Sequence, residues 1–267
     1  MQKVVLCFLI VSSLLILSGC EKTSSGPATP DDAKRLLKLH GYDFNEKGFF
    51  AAAKAHDYTA LNWFFDAGIN ANAQDSDGRT ALISAAALGD VALVNALLSH
   101  GVDQNVRDNQ GYTALAHAIE ARYPEVEDAL LNRPGLDANA GGLKGRPILL
   151  AYVWRDDKER TEKLLAHGAD VKLQDADGDT ALHGAAQNGN VEIMRLLLDK
   201  GANANAKNKV GGTPLMWAAV FGHADAARLL LSRGADPSLK DSDGVTAAQW
   251  AARNNRVKVV SLLKGKR

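Results

Sequence analysis

Six glycines, Gly78, Gly111, Gly145, Gly178, Gly211 and Gly244, lie 33, 34, 33, 33 and 33 residues apart. Thr80, Thr113, Thr180, Thr213 and Thr246 each follow one of them by two positions, with Pro147 in the remaining slot. A second series, Gly68, Gly101, Gly135, Gly168, Gly201 and Gly234, closes each period, and Asp or Asn stands two residues after each. A unit of this length cannot bury its apolar face alone. Stacking neighbours buries a continuous core, so the period requires a solenoid.

Residues 175–207 show what one unit contains. Asp175-Ala-Asp-Gly178 reads as a turn and Thr180 as a helix start. Ala181, Leu182, His183, Ala185 and Ala186 form a first helix with a small face, and Gly189 ends it in the left-handed backbone that glycine tolerates. Val191, Ile193 and Leu196 to Leu198 build a more apolar second helix that Gly201 ends. Gly178-x-Thr-Ala-Leu-His183 and Gly212-Thr-Pro-Leu215 resemble the opening tetrapeptide of the ankyrin repeat, with Met216 replacing histidine in the second case. The resemblance covers residues 31–267. It implies an all-α repeat solenoid of helix-turn-helix units with short β-hairpin fingers.

The predicted layout is a capping helix over 31–41, then seven repeats at 42–74, 75–107, 108–141, 142–174, 175–207, 208–240 and 241–267. Leu36, Leu37 and Leu39 are expected on the buried side of the capping helix. At the other end Val259, Val260, Leu262 and Leu263 face inward, while Lys264, Lys266 and Arg267 stay solvated, as a polar outer cap requires. The third and fourth units are irregular. Arg122 and Asp156 stand where neighbours have glycine, Pro147 replaces threonine, and Tyr152-Val153 replaces a small pair. Such bulk is expected to push adjacent units apart or bend the stack, and the middle is expected to open first.

Several chemistries are excluded. Lys plus Arg and Asp plus Glu both number 31, so no basic stripe exists for nucleic acid. The Asp-rich turns invite a calcium reading, but the twelfth residues from Asp75, Asp175 and Asp241 are Ala86, Ala186 and Ala252, where a calcium loop needs glutamate. Seven histidines are scattered without a His-x-x-x-His pair, so no metal or other cofactor is expected. His183 belongs to the repeat motif, and His40, His100 and His167 sit where a cation complements a helix C-terminus. No nucleophile elbow, phosphate loop or dinucleotide fingerprint occurs, so an enzyme is not expected.

Both cysteines, Cys7 and Cys20, precede the repeats, so disulfides do not hold them together. Val4–Leu17 is apolar except for Ser12 and Ser13 and follows Lys3. A helix of that length rises about 21 Å, short of a hydrocarbon core of about 30 Å, so residues 1–19 read as a signal peptide. The run closes on Leu17-Ser18-Gly19-Cys20, which resembles the lipobox of bacterial lipoproteins. A plain secretory signal ending by chance on cysteine is the alternative. The resemblance implies acylation of Cys20, and several acyl chains at about 0.8 kcal/mol per buried methylene make a stable membrane anchor. Glu21 rather than aspartate after the cysteine implies the outer membrane of the bacterial envelope, with the domain facing the periplasm. Residues 20–30 then form a flexible spacer.

The ankyrin resemblance implies a monomeric protein-binding scaffold: an inhibitor, an immunity-type protein or a chaperone of an exported protein. An unconventional envelope enzyme and a passive spacer are the alternatives. Members of the family contact partners through the finger tips and the exposed side of the first helix, together the concave face. Carried onto this chain, those positions are Tyr112, Glu120, Leu143, Lys144, Arg146, Trp154, Arg155, Gln187, Asn188, Val210, Val220 and Phe221. Trp154 has a second reading, as a cover for the Tyr152-Val153 junction.

Overall fold

The computed structural model describes residues 29–143 and 145–264, with Leu143 described through its backbone alone. Lys144, the segment holding Cys20, and residues 265–267 lie outside them. No helix among the described residues is long and apolar enough to cross a membrane.

A capping helix, α1 (Pro30–Leu39), leads into seven helix pairs. The first helices of the units are α2 (Glu46–Lys54), α4 (Ala81–Leu88), α6 (Ala114–Ala121), α8 (Ile148–Trp154), α10 (Ala181–Asn188), α12 (Pro214–Phe221) and α14 (Ala247–Arg253). The second helices are α3 (Tyr58–Asp66), α5 (Val91–Ser99), α7 (Pro124–Leu131), α9 (Lys158–Ala166), α11 (Val191–Asp199), α13 (Ala224–Ser232) and α15 (Val257–Lys264). First helices pack on first helices from α4 to α6 and again from α8 through α14, and second helices on second helices from α5 through α15. The core runs unbroken from Leu37 to Leu263. In α1, Ala33 and Leu37 are buried but Leu39 is 73% exposed, which corrects the expectation for that residue. A 10-residue helix with one contact stripe cannot bury Leu36, Leu37 and Leu39 together.

Capping explains why the helices begin where they do. The hydroxyls of Thr80, Thr113, Thr213 and Thr246 accept from the amides of Ile83, Ala116, Met216 and Gln249. In the fifth unit the Thr180 amide donates to His183 Nδ1 at 3.1 Å, and His183 Nε2 lies 3.1 Å from the Gly212 carbonyl of the next unit. His183 is buried, and burial holds its pKa down, consistent with a structural neutral imidazole. His167 and His100 do more than cap: His167 Nε2 meets the Leu131 carbonyl at 2.8 Å, and His100 stacks on Phe65 at 4.0 Å. Each ties its helix end to the preceding unit.

A ladder of asparagines joins the loops after the second helices. The Oδ1 atoms of Asn72, Asn105, Asn139 and Asn205 accept from the amides of Asp103, Asp137, Asp170 and Asp236, at 2.7–3.0 Å. Asn105, Asn139 and Asn205 also donate to Gly135, Gly168 and Gly234. The period places Lys172 in the rung between Asn139 and Asn205, and no such bond forms there among the described residues.

Candidate functional site

Five of the fingers are each closed by one Asp or Asn side-chain oxygen. Asp75 Oδ1 accepts from the amides two and four residues on, at 2.9 Å each, and Asp108, Asp175, Asn208 and Asp241 repeat the arrangement. These oxygens close a turn rather than offering themselves to a cation. Burial pushes the Asp108 carboxyl up. The His117 ring, 2.7 Å away, and the Tyr112 and Gln110 amides outweigh it and hold Asp108 below the ordinary carboxylate range. Asp241 is held low in the same way, with Trp250 Nε1 donating to it at 2.7 Å.

The fourth unit departs from this. Gly142 occupies the Asp position and has no side chain to close the turn. Its finger is instead a two-stranded antiparallel hairpin, β1 (Gly142–Leu143) with β2 (Arg146–Pro147), paired Gly142 to Pro147 and Leu143 to Arg146. Pro147 gives α8 no side-chain cap.

Three junctions between adjacent fingers are bonded through the backbone: Asn109 N–H to Asp77, Lys209 N–H to Asp177, Ser242 N–H to Val210, at 2.9–3.1 Å. A Cβ on Gly78, Gly178 or Gly211 would stand 2.7, 2.8 or 3.0 Å from the next finger's amide nitrogen. On Gly111 or Gly145 it would meet nothing within 4 Å among the described residues. Among the described residues no backbone bond joins the third and fourth fingers. Between them lies an open groove of about 360 Å³, bordered by Arg107, Gln110, Tyr112, Asn139 and Arg146.

The second helices behave oppositely. Glu127 on α7 is buried where the period gives other units Val94 and Met194. Arg160 Nε stands 3.3 Å from its carboxylate and Arg155 Nη1 3.4 Å. The Tyr152 hydroxyl faces the same carboxylate, without a hydrogen bond of good geometry. Arg160 also pairs with Asp157 at 2.8 Å and Asp128 at 2.9 Å, and Lys163 with Asp128 at 3.2 Å. Burial raises the Glu127 pKa, outweighing Tyr152 and both arginines. Tyr152 is fully buried in a column otherwise occupied by alanine. Its bulk replaces what α9 lacks, since Arg160 and Thr161 stand where α11 has Ile193 and Met194. The middle of the stack is therefore laced by ion pairs at the second helices.

Of the expected site residues, several share the first-helix face. Tyr112 meets His117 edge-on at 5.4 Å. The Arg146 guanidinium lies 5.9 Å from the Trp154 ring and its Nε 3.7 Å from Asp175. The Trp154 indole lies against Gly184, whose added Cβ would be 3.3 Å from Cε2. Trp154 is half-buried and its Nε1 has no partner. Phe221 and Val210 remain 40% and 63% exposed, Gln187 and Val220 are half-buried, and Glu120 is exposed. Asn188 and Arg155 are drawn into unit junctions: Asn188 Nδ2 donates to Val153 at 3.0 Å, and the Arg155 guanidinium to the Ile119 carbonyl. Leu143 contributes backbone to the hairpin, and Lys144 lies outside the described residues.

The structure adds residues that the motif reading passed over. Trp217 stacks on Phe221 at 6.1 Å, and Arg253 lies 5.3 Å over Trp250. Aligning the units would have shown them, because His117, Gly184, Trp217 and Trp250 occupy one column.

A family model described as ankyrin repeats (3 copies) matches residues 49–141 and 149–241. The chain belongs to the ankyrin-repeat family. Among solved structures, this ankyrin-repeat chain is similar to the ankyrin repeat domain of Bcl-3, described as a unique member of the IkappaB protein family. The two share 28% identity and a TM-score of 0.63, over 80% of this chain and 97% of that one. Comparison with curated proteins gives no match. Ankyrin repeats generally serve as protein–protein interaction scaffolds, and typical members are binders rather than enzymes.

Proposed function

We propose that this ankyrin-repeat protein is anchored by lipid on Cys20, faces the periplasm from the outer membrane, and holds an exported protein through the face formed by its fingers and first helices. Inhibitor, immunity-type protein and chaperone are the roles that such a scaffold serves. The observation that carries the binding reading is the run of Tyr112, Arg146, Trp154, Trp217 and Phe221 along one face of units three to six. Aromatic residues and arginine desolvate large areas while retaining a polar handle, and they dominate interface energetics. The exposed Phe221 and Val210 give that run an apolar surface.

A photo-crosslinking residue placed at Val210 or Phe221 in cells tests this. One dominant protein adduct is expected there, and none from Arg195 or Glu125 on the second-helix side. Equal labelling from both sides, or no adduct from the first-helix face, removes the proposal.

A further inference from the structure

Acid and base are equal in total but not evenly spread along the chain. Residues 201–267 hold 11 Lys and Arg against four Asp and Glu, whereas residues 1–200 hold 20 against 27. From Gly244 onward there are six cations, Arg253, Arg256, Lys258, Lys264, Lys266 and Arg267, and no acid. The last helix pair carries this charge outward. Arg253, Arg256, Lys258 and Lys264 are exposed, and Val257, between two of them, is 72% exposed. Lys258 also stands against local preference. In the same column of the repeat α7, α9, α11 and α13 have Glu125, Glu159, Glu192 and Asp225, acids that suit the positive end of a helix. The first turn of α15 has no acid, so the cation there does not serve its own helix. Two acids beside these cations are already engaged, Asp225 by the Arg228 guanidinium and Asp241 by the Asp243 and Val245 amides and Trp250 Nε1.

We propose that the terminal unit docks the solenoid on the surface of an anionic phospholipid bilayer. Arg253, Arg256, Lys258 and the cations that follow them are drawn to the headgroup phosphates, and Val257 enters the headgroup layer among them. A charged plane attracts every cation near it without matched geometry. That suits positive side chains spread over two helices around one aliphatic group. The excess of acid in the preceding units is repelled by the same plane, so the end of the stack turns towards the bilayer. This contact is separate from lipid on Cys20 and from the partner-holding face, and depends on neither.

The test uses the mature chain, residues 20–267, made with Cys20→Ser so that no acyl group contributes. Flotation is measured with vesicles of phosphatidylcholine alone and with vesicles that also contain phosphatidylglycerol. Binding is expected to the anionic vesicles only, and to fall as salt is raised. Lys258→Glu should weaken it about tenfold, whereas Lys47→Glu, the same change of charge in the first unit, should leave it unchanged. Glutamate suits the first turn of α15, so the melting temperature of Lys258→Glu should be no lower than the parent's. Equal binding to neutral vesicles, no binding to anionic ones, or equal loss from Lys47→Glu overturns the proposal. So does a single-stranded oligonucleotide that releases the chain from the vesicles at a phosphate concentration below that of the lipid, which would point to nucleic acid. If Phe221 still crosslinks a partner while the vesicles bind nothing, the scaffold reading stands and this inference alone falls.

Discussion

The carboxylate of Asp156, a residue in left-handed backbone at φ 59°, accepts a 2.7 Å hydrogen bond from Asn190 Nδ2 of the following unit. In the next unit the same junction is built another way. Gly189 has φ 74°, and the His223 ring lies where its Cβ would stand, with Cε1 at 2.8 Å. Gly89 under Tyr123 and Gly222 under Arg256 follow the second pattern, and His56, 3.1 Å from Asp90, follows the first. At these five junctions the turn residue and its neighbour are matched: a polar pair, or a glycine beneath a long side chain.

Asp156→Gly is expected to be nearly neutral. Relief of left-handed strain, roughly 1 kcal/mol, offsets the lost hydrogen bond of similar size. Gly189→Ala meets both the strain and the imidazole and should destabilise by about 2 kcal/mol. Urea unfolding of the two variants checks this. Equal effects would mean that the junction is not matched in this way.

Trp154 lies against Gly184 and has the Arg146 guanidinium over its ring. The Gly184 contact fits the reading of Trp154 as a cover for its unit junction, and its part in binding a partner is what the variants test. Trp154→Ala should lower stability by about 2 kcal/mol, less than for a fully buried ring, and also weaken partner binding. Trp154→Phe should retain most stability, because the indole N–H it removes has no partner. A melting temperature unchanged by Trp154→Ala would show that the ring contributes nothing to the core.

The missing ladder rung predicts a gain. Lys172→Asn should donate to the Gly201 carbonyl and accept from the Asn203 amide, stabilising the chain by about 1 kcal/mol. Asn105→Ala, which removes both bonds of an existing rung, should destabilise by about 1–2 kcal/mol. Denaturation midpoints moving the opposite way would remove the ladder as an energetic element.

Glu127 carries a pH dependence whose sign follows from its burial. With its folded pKa raised above the ordinary 4.5, the folded chain holds that proton more tightly than the unfolded chain. Its contribution is fully present below about pH 4.5 and is lost as pH rises through the folded value. Glu127→Gln keeps the shape without the ionisation. Its stability relative to the parent should therefore increase from pH 4 towards neutrality. Asp108, held low, acts in the other direction and should be the same in both proteins. A difference that shrinks with rising pH would mean that the two arginines outweigh burial.

Cys20→Ser is expected to move the protein from the membrane fraction to the soluble envelope fraction. Retention with membranes in high salt would remove the lipid anchor. Substituting Phe221 should leave fractionation unchanged, which separates the tether from the binding face.

The repeat, its register and its helix boundaries were legible in the chain because each depends on local chemistry. Thr180 caps a helix, Gly189 ends one, and Asp175 closes a turn with amides only two and four residues away. The candidate face was legible in part. Tyr112, Arg146, Trp154, Val210 and Phe221 are at repeat positions that the family exposes, but Asn188 and Arg155 turn into unit junctions. Nothing in the residues nearest to Glu127 shows that its carboxylate is buried, because Arg155, Arg160 and Tyr152 meet it from the following unit. The fourth finger is of the same kind. Gly142 announces that one turn lacks its carboxylate, yet whether neighbouring fingers then close or part depends on backbone groups 33 residues away. Short-range bonding follows from sequence alone. Contacts between units depend on which side chains the stacking brings together, and only the assembled solenoid decides that.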